Sequence, residues 1–307
     1  MADPARPPRA RLEAVADAVD AGAAGQENGD IDTGSLRRLV DFQISNGVNA
    51  LVPCGTTGES ATLSHPEHHH VMDIVAEQTN GRVPNFVGAG SNSTREAISL
   101  TQHARAIGAS AVLSVAPYYN KPTQQGFYEH YKAIVEAVDI PVFVYNVPGR
   151  TGSNINAETT LRLAELPGIA GIKEASGNIP QVMEILRHRP NNFVVLSGDD
   201  ALALPMMSLG ADGVISVVSN EVPLEFTQMI RWCLEGDFVK ARMIHERLLD
   251  LMNLNFIESN PIPVKSALSM MGIIREAYRL PLTPMTLEHK FQLRRVLEEL
   301  SLVGQTL

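Results

Sequence analysis

The sequence predicts an α/β protein, a (β/α)8 TIM barrel with a C-terminal helical domain. Short apolar runs alternate with amphipathic stretches from about residue 30 to residue 235. Strands separated by helices form right-handed crossovers and therefore a parallel sheet. An open, doubly wound sheet is the alternative, but no Gly-x-Gly-x-x-Gly follows an early strand, and the even spacing favours closure. Beyond Gly236 the helical periodicity continues without a strand candidate.

Seven apolar runs are strand candidates, and eight amphipathic stretches are helix candidates. The strands are expected at 50–53, 86–89, 111–116, 142–145, 169–173, 193–197 and 214–217. The helices are expected at roughly 35–46, 66–79, 94–107, 124–138, 157–165, 179–188, 200–209 and 223–234. Because such a barrel needs eight strands, its first strand is predicted to be atypical or missing.

The first 28 residues depart from this pattern. They are rich in alanine, arginine and proline, and acidic residues interrupt every apolar run. We therefore expect an atypical segment at 1–28, a barrel at 29–236 and a helical domain at 237–307. One interpretation is that residues 12–19 form a helix or an irregular strand over the open seam of the barrel. The other is a shifted reading frame or misassigned start, with the true frame resuming near residue 25 or 26.

The bulk composition is that of an ordinary globular protein. With 307 residues, 44% of them hydrophobic, the chain can bury one large core. A net charge of −9 argues against a nucleic-acid surface, and the longest apolar stretches are too short to span a membrane. Two cysteines, Cys54 and Cys233, give no disulfide framework, and the N-terminus lacks the pattern of a secretory signal. These features predict a cytoplasmic protein.

Lys173 is the first candidate for catalysis. It ends the apolar run at 169–172, so its neighbours are expected to be apolar. Desolvation disfavours the ammonium form, and a neutral amine is the nucleophile that makes a Schiff base with a carbonyl substrate. A lysine that simply marks the end of a strand is the alternative, which this segment alone favours.

Other polar residues follow neighbouring strands, at the end of the barrel where active sites lie. The segment GTTGES at 55–60 is either a simple glycine-rich turn or a source of N–H groups and hydroxyls for one carboxylate. Tyr145 ends a strand, and Arg150 follows five residues later. Tyrosine can relay protons, arginine can clamp a carboxylate with its planar fork, and Lys173 can form the imine. The strand ends together therefore predict a covalent catalytic site.

Six motifs resemble those of one known family. They are GTTGES at 55–60, APYYNKPTQQG at 116–126, YNVPGRTG at 145–152, GIKEASGN at 171–178, LSGDD at 196–200 and NPIPVK at 260–265. From about Gly29 to Leu307 the chain resembles the 4-hydroxy-tetrahydrodipicolinate synthases, also called dihydrodipicolinate synthases, which are pyruvate-dependent class I aldolases. The resemblance implies a (β/α)8 barrel with a C-terminal helical domain and a homotetramer built as a dimer of tight dimers. Members of this family open with a short strand ending in Thr-Pro, which this sequence lacks.

The resemblance implies roles for individual residues. Lys173 would form the imine with pyruvate, whose methyl carbon would then attack the aldehyde of L-aspartate 4-semialdehyde. The product would be 4-hydroxy-tetrahydrodipicolinate, in the first committed step of the diaminopimelate and lysine pathway. Tyr145 would be the acid/base relay, and Thr56 would link it to the partner subunit's Tyr119.

Substrate binding is implied in the same way. Thr57 would hold the carboxylate of pyruvate, Arg150 would bind that of the semialdehyde, and the backbone of Gly198 and Ile215 would line the pyruvate pocket. The carboxylate pair at 199–200 is given no catalytic role, because it can simply cap the next helix.

Arg150 also helps to distinguish this activity from other functions on the same barrel. The related sialic acid lyases and keto-deoxy sugar-acid aldolases share the lysine and the tyrosine but generally lack an arginine in this place. Another pyruvate-dependent aldolase or a keto-sugar-acid dehydratase on the same barrel is the second hypothesis. An inactive product of an altered N-terminus is the third.

The histidine-rich stretch HPEHHH at 65–70 allows three interpretations. His65, His68 and His69 have the i, i+3, i+4 spacing of metal ligands on a helix, although a solvent-facing helix start is simpler. The resemblance implies instead a site for L-lysine as feedback inhibitor at the tight-dimer interface. That site would comprise Ser60, Ala61, His65, His68, Asn92, Glu96 and Tyr118. No metal or organic cofactor is expected, because the imine itself is the electron sink.

Overall fold

The computed structural model describes residues 29–304 and, before them, the backbone of residues 15–17. Eight parallel strands in this part of the chain form the barrel. They are β1 Val15–Asp17, β2 Ala50–Val52, β3 Phe86–Gly88, β4 Ala111–Val115, β5 Val142–Asn146, β6 Ile169–Glu174, β7 Val194–Ser197 and β8 Gly213–Ser216. Hydrogen-bonded neighbours run in the order β2-β1-β8-β7-β6-β5-β4-β3, and a parallel bridge between Leu51 and Asn85 joins the two ends. The predicted TIM barrel is confirmed.

The first strand, expected to be atypical or missing, is a strand of three residues. Val15 of β1 pairs with Ala50 of β2 on one side and with Ile215 of β8 on the other. This strand lies within residues 12–19. Backbone pairing to two neighbouring strands holds it in place, and no apolar run in the sequence indicates it. Residues 1–14 and 18–28, on which the interpretation of a shifted reading frame depends, lie outside the described residues.

Helices alternate with the strands and then continue alone to the C-terminus. They are α1 Thr33–Ser45, α2 His65–Thr79, α3 Thr94–Ala106, α4 Gln124–Ala137, α5 Pro148–Thr151, α6 Ala157–Ala164, α7 Ile179–His188, α8 Ala203–Ser208, α9 Pro223–Glu235, α10 Phe238–Leu254, α11 Ile262–Met270 and α12 Leu287–Glu299. Side chains before several helices cap them; Ser64 and Glu67 form a reciprocal capping box at the start of α2. No helix among the described residues is long and apolar enough to cross a membrane.

The core has two layers because helices cover the outside of the barrel and side chains fill its inside. One buried cluster lies in the barrel and includes Val52, Phe86, Leu113, Phe143 and Leu196. The larger cluster joins the outward-facing strand residues to the helices. Strands covered on both faces read as almost continuous apolar runs, which is why the sequence shows them clearly.

The C-terminal segment packs back onto the loop that follows β2. Lys265 of α11 forms a buried ion pair with Glu59. Arg279 donates hydrogen bonds to the carbonyl oxygens of Gly29 (2.7 Å) and Thr62 (3.1 Å) and to the carboxylate of Glu67 (2.6 Å). The loop at 55–62 is therefore held by residues that come about 200 positions later in the chain.

Candidate active site

Lys173 lies on β6 in the interior of the barrel, with only 3% of its surface exposed. In the β5–β6 register it lies opposite Tyr145, and its Nζ is 4.4 Å from the centroid of the Tyr145 ring. A Cβ at Gly198 would lie 3.1 Å from both Cγ and Cε of Lys173 and 2.7 Å from Cβ of Ala175. The absence of a side chain at Gly198 thus makes room for the lysine stem. Lysine, tyrosine and glycine come together at three adjacent strand ends.

A cavity of about 390 Å³ opens beside this pair, a volume suited to a small ligand. Tyr145 lines it, as do Thr56 from the loop after β2 and Arg150 from the short helix α5. Six of the seven predicted lysine-binding residues also line this cavity: Ser60, Ala61, His65, His68, Glu96 and Tyr118. Of the four predicted catalytic residues, Tyr145 and Thr56 line this cavity, whereas Lys173 and Tyr119 do not.

Thr57 and Arg150 are joined through a residue that the sequence did not single out. The side-chain amide of Asn260 donates a 3.0 Å hydrogen bond to Oγ1 of Thr57. Arg150 donates a 3.2 Å hydrogen bond to the carbonyl oxygen of the same asparagine. Thr57 and Asn260 are buried, whereas Arg150 is exposed. The two residues predicted to bind the substrate carboxylates therefore share one neighbour.

The remaining two catalytic and binding candidates lie in different surroundings. Ile215 of β8 is buried and belongs to the same interior cluster as Tyr145. Tyr119 is 89% exposed, and its φ of +72° is unusual for a residue with a side chain. Its backbone N–H donates to the carbonyl oxygen of Thr151, 3.4 Å away. The side chain of Tyr119 therefore projects from the protein surface.

Four of the predicted lysine-binding residues make two separate contacts, His65 with Glu96 and Asn92 with Tyr118. Nε2 of His65 lies 3.8 Å from a carboxylate oxygen of Glu96, and the Ser91 hydroxyl donates to its other oxygen at 2.8 Å. Asn92 donates from its side chain to the carbonyl oxygen of Tyr118, at 3.2 Å. The partly exposed carboxylate of Glu96 therefore has one hydroxyl and one imidazole beside it.

Comparison with known proteins decides the family. A model of the dihydrodipicolinate synthetase family matches residues 21–300 of the chain. The chain belongs to this family. It is accordingly an enzyme, a lyase built on a TIM barrel, and the resemblance of its six motifs is confirmed.

Individual members of the dihydrodipicolinate synthetase family are close in sequence and in structure. A 4-hydroxy-tetrahydrodipicolinate synthase from Prosthecochloris aestuarii is 56% identical over 275 residues, which cover 89% of this chain and 93% of that protein. A chloride-inhibited dihydrodipicolinate synthase from Acinetobacter baumannii, crystallised with pyruvate, is 43% identical with a TM-score of 0.92, covering 95% of this chain and all of that one. The enzyme from Cyanidioschyzon merolae with lysine bound is 41% identical with a TM-score of 0.91, covering 95% and 99% of the two chains.

The three histidines with metal-ligand spacing have different partners. His68 is buried, and its Nε2 lies 2.8 Å from the carbonyl oxygen of Gly88; burial lowers the pKa of this imidazole. His69 stacks on His103, with ring centroids 4.0 Å apart, and His65 faces Glu96. Within residues 29–304, no group of three His, Cys, Asp or Glu side chains is arranged to hold a metal ion.

The carboxylate pair at 199–200 divides into two roles. Asp199 accepts a hydrogen bond from the N–H of Leu202 in the turn before α8. Neither carboxylate is the expected helix cap, because the N-cap position of α8 is Leu202 and no side chain caps this helix. Asp200 instead accepts from the backbone N–H groups of Val217 (3.0 Å) and Val218 (2.8 Å), beyond the end of β8. Helix α8 consequently begins at residue 203 rather than at the predicted residue 200.

Asp200 predicts a dependence of stability on pH. Burial raises the pKa of Asp200 from its ordinary value near 3.8 to about 6. The folded state then binds the proton more tightly than the unfolded state, so this contribution to stability falls as the pH rises from about 4 through 6. Relative to the variant Asp200→Asn, the wild type should lose stability between about pH 4 and pH 6 in urea titrations.

A matched control for this titration is available on α10. Asp250 is exposed, so Asp250→Asn makes the same chemical change without burial. Its stability should follow that of the wild type at every pH. Parallel curves for the wild type and Asp200→Asn would show that the buried carboxyl does not titrate in this interval.

Three residues that matter for the site were missed by the sequence analysis. Asn260 and Lys265 lie in the motif NPIPVK, which identified the family but was given no role, and Glu59 lies in GTTGES. The available signal was chemical: a lysine three residues into an apolar helix must find a buried partner. Only the fold shows that this partner is Glu59.

Proposed function

We propose that this enzyme condenses pyruvate with L-aspartate 4-semialdehyde to give 4-hydroxy-tetrahydrodipicolinate, the first committed step of the diaminopimelate and lysine pathway. The observation that carries the proposal is the buried Lys173 against the ring of Tyr145, beside a cavity that Thr56 and Arg150 line. The names of the similar proteins support it as well.

The proposed chemistry begins at Nζ of Lys173. The neutral amine attacks the carbonyl carbon of pyruvate, water leaves, and the imine withdraws electrons from the methyl group. Loss of a methyl proton gives an enamine, whose carbon attacks the aldehyde carbon of the semialdehyde and leaves an alkoxide that takes up a proton. The amino group of the semialdehyde then attacks the imine carbon, closes the ring and expels the amine of Lys173. Tyr145, whose ring lies over the amine, is the proposed relay for the protons of these steps, linked through Thr56 to the partner subunit's Tyr119.

Substrate recognition is proposed to rest on two groups with different exposure. The hydroxyl of buried Thr57 holds the carboxylate of pyruvate, with the backbone of Gly198 and Ile215 completing that pocket. Arg150, exposed at the cavity, binds the carboxylate of the semialdehyde, because a planar guanidinium matches a carboxylate in two parallel hydrogen bonds.

Reductive trapping tests the reaction directly. The protein is incubated with pyruvate and borohydride, and its mass is measured before and after digestion. A pyruvate-sized adduct on Lys173 is expected, since borohydride reduces an imine to a stable amine. Folded protein that gains no adduct would exclude both this synthase and any other aldolase that uses the same lysine.

We also propose that L-lysine inhibits the enzyme by binding at the cavity mouth. Glu96 is the proposed partner of the α-ammonium group, and Tyr118 and Asn92 are the proposed partners of the carboxylate. In support, Tyr118 lines the cavity, and the side chain of Asn92 donates to the carbonyl oxygen of Tyr118. The lysine-bound structure of the similar enzyme from Cyanidioschyzon merolae supports this assignment. No organic cofactor or metal is included in the proposal, because the imine provides the electron sink.

The inhibition predicts the behaviour of one variant. Replacing Glu96 by glutamine removes the negative charge that would pair with the ammonium group of lysine. Because a hydrogen bond to a charged group contributes about 1.5–3 kcal/mol, the lysine concentration for half-inhibition should rise at least about tenfold. Initial rates at millimolar lysine measure this. The control Glu136→Gln changes an exposed carboxylate on α4 and should retain the inhibition of the wild type. Equal inhibition of both variants would contradict the assignment.

Three further properties complete the proposal. The exposed Tyr119, with its positive φ, supports a tight dimer in which this tyrosine enters the partner subunit, and a homotetramer is the proposed assembly. The region at 237–307 is proposed as a helical domain appended to the barrel at 29–236. A cytoplasmic location fits the small substrates of a biosynthetic pathway.

A further inference from the structure

We propose that Ser91 is a positioning residue for the inhibitor site: its hydroxyl directs the carboxylate of Glu96 towards the ammonium group of L-lysine. This inference rests on the proposed inhibition and adds one residue to that site. Ser91 lies between the end of β3 and the start of α3, is 4% exposed and lines the cavity. It acts through Glu96, to whose carboxylate its hydroxyl donates at 2.8 Å.

The first step of the argument is a comparison of two helix starts. Both α2 and α3 begin with Ser-x-x-Glu, the sequence of a capping box, at 64–67 and 93–96. In α2 the glutamate accepts a hydrogen bond from the backbone N–H of Ser64, at 2.8 Å, and the box is closed. In α3 the N–H of Ser93 donates instead to the hydroxyl oxygen of Ser91, at 3.0 Å. Ser91 thus takes the N–H that Glu96 would bind in a closed box.

The second step is the direction of the two hydrogen bonds at Ser91. A backbone N–H can only donate, so the Ser91 oxygen accepts from Ser93. The single hydroxyl proton is then directed to Glu96, whose carboxylate oxygen accepts it. One hydroxyl group therefore satisfies the start of the helix and at the same time holds one oxygen of the carboxylate.

The third step concerns the other carboxylate oxygen of Glu96. This oxygen lies 3.8 Å from Nε2 of His65, and the Glu96 side chain is 48% exposed. Both residues line the cavity, so a ligand can reach the carboxylate. A glutamate side chain loses rotational freedom when it binds a ligand, and a hydroxyl that already holds one oxygen reduces this cost.

The support of the Ser91 hydroxyl is rigid. A Cβ at Gly90 would lie 2.3 Å from the backbone nitrogen of Val115, so the chain just before Ser91 is packed closely against β4. Ser91 itself is buried, and the N–H of Ser93 fixes its oxygen from the following turn. A positioning group must be held in this way by its own surroundings.

The decisive variant is Ser91→Ala, which removes the hydroxyl that binds the N–H of Ser93. Glu96 can then turn back to that N–H and close the capping box, as Glu67 does in α2. Helix α3 keeps a cap, so the variant should fold, but the carboxylate is drawn away from the ligand. The lysine concentration that halves the variant's own uninhibited rate should rise roughly three- to tenfold, which corresponds to one capping interaction.

A double-variant cycle distinguishes positioning from a general structural effect. In the Glu96→Gln background the charge that Ser91 directs is already absent, so adding Ser91→Ala should change the half-inhibiting concentration less than about twofold. A merely structural effect of position 91 would persist at full size in that background. Calorimetric titration with lysine extends the comparison to weakly inhibited variants. The control Ser110→Ala removes an exposed hydroxyl before β4 and should match the wild type.

The outcomes separate this inference from the proposals on which it rests. If the wild type forms the pyruvate adduct but millimolar lysine leaves its rate unchanged, the proposed reaction stands, and the inhibitor site and this inference fail. If Glu96→Gln weakens the inhibition but folded Ser91→Ala is inhibited as strongly as the wild type or more strongly, the site stands and Ser91 has no positioning role. A full-sized effect of Ser91→Ala in the Glu96→Gln background would also contradict the inference.

Discussion

Replacing Lys173 by methionine should abolish the reductive adduct with pyruvate and lower kcat/KM on the order of 10³-fold or more, because the nucleophile is removed. Methionine is unbranched like lysine, so it can follow the path of the lysine stem beside Gly198, where an added Cβ would come within 3.1 Å of that stem. The fold should therefore persist. Mass measurement of the trapped protein and initial-rate assays provide the two readouts.

Two further variants isolate the chemical reason for this loss. Lys173→Arg keeps a positive charge but offers a guanidinium that does not lose its proton in proteins, so it should also fail to form the adduct. Lys132→Met removes a lysine on the outside of α4 and should be trapped like the wild type. An adduct on folded Lys173→Met would mean that another amine forms the imine.

The second large effect concerns the buried ion pair between Lys265 and Glu59. Both side chains are almost wholly inaccessible to solvent, so Lys265→Met leaves a carboxylate without its counter-charge. Removal of one member of such a pair is expected to cost about 3–5 kcal/mol in the free energy of unfolding. Urea denaturation followed by circular dichroism measures this loss.

The paired variant tests the electrostatic explanation. Glu59→Gln together with Lys265→Met removes both charges and should recover most of the stability, since two neutral groups need no mutual compensation. If the double variant is as unstable as Lys265→Met alone, packing around the lysine rather than its charge is responsible. Because Glu59 belongs to the loop of Thr57, pyruvate trapping in Lys265→Met should weaken as well.

The sequence predicted the strands well because parallel strands covered on both faces are apolar throughout. The runs at 111–116 and 142–145 agree with β4 and β5 to within one residue at each end. The same principle explains the difficulty with β1, which has three residues and lies in a segment that acidic residues interrupt. Its pairing with β2 and β8 is decided by distant neighbours, which no local pattern records.

Some residues of the site could likewise be predicted from the local sequence, and others could not. Lys173 and Tyr145 could be predicted, because the end of a barrel strand is a position that can be read from the sequence. Asn260 could not, because its partner Thr57 is 203 positions away. The spacing of the histidines did not show which partner each one has. Buried His68 lies against the carbonyl oxygen of Gly88, His69 stacks on His103, and exposed His65 faces Glu96.

The attachment of the loop at 55–62 to the C-terminal segment has a consequence for biosynthesis of the chain. All eight strands and Lys173 have been made once residue 216 is reached, but the contacts of Thr57 with Asn260 and of Glu59 with Lys265 can form only after those later residues have left the ribosome. Because domains fold largely as they are synthesised, the nascent barrel holds its lysine before this loop is fixed. A chain that stops before α11 therefore keeps the amine of Lys173. It loses the contacts that fix the loop of Thr57, the residue proposed to hold the carboxylate of pyruvate.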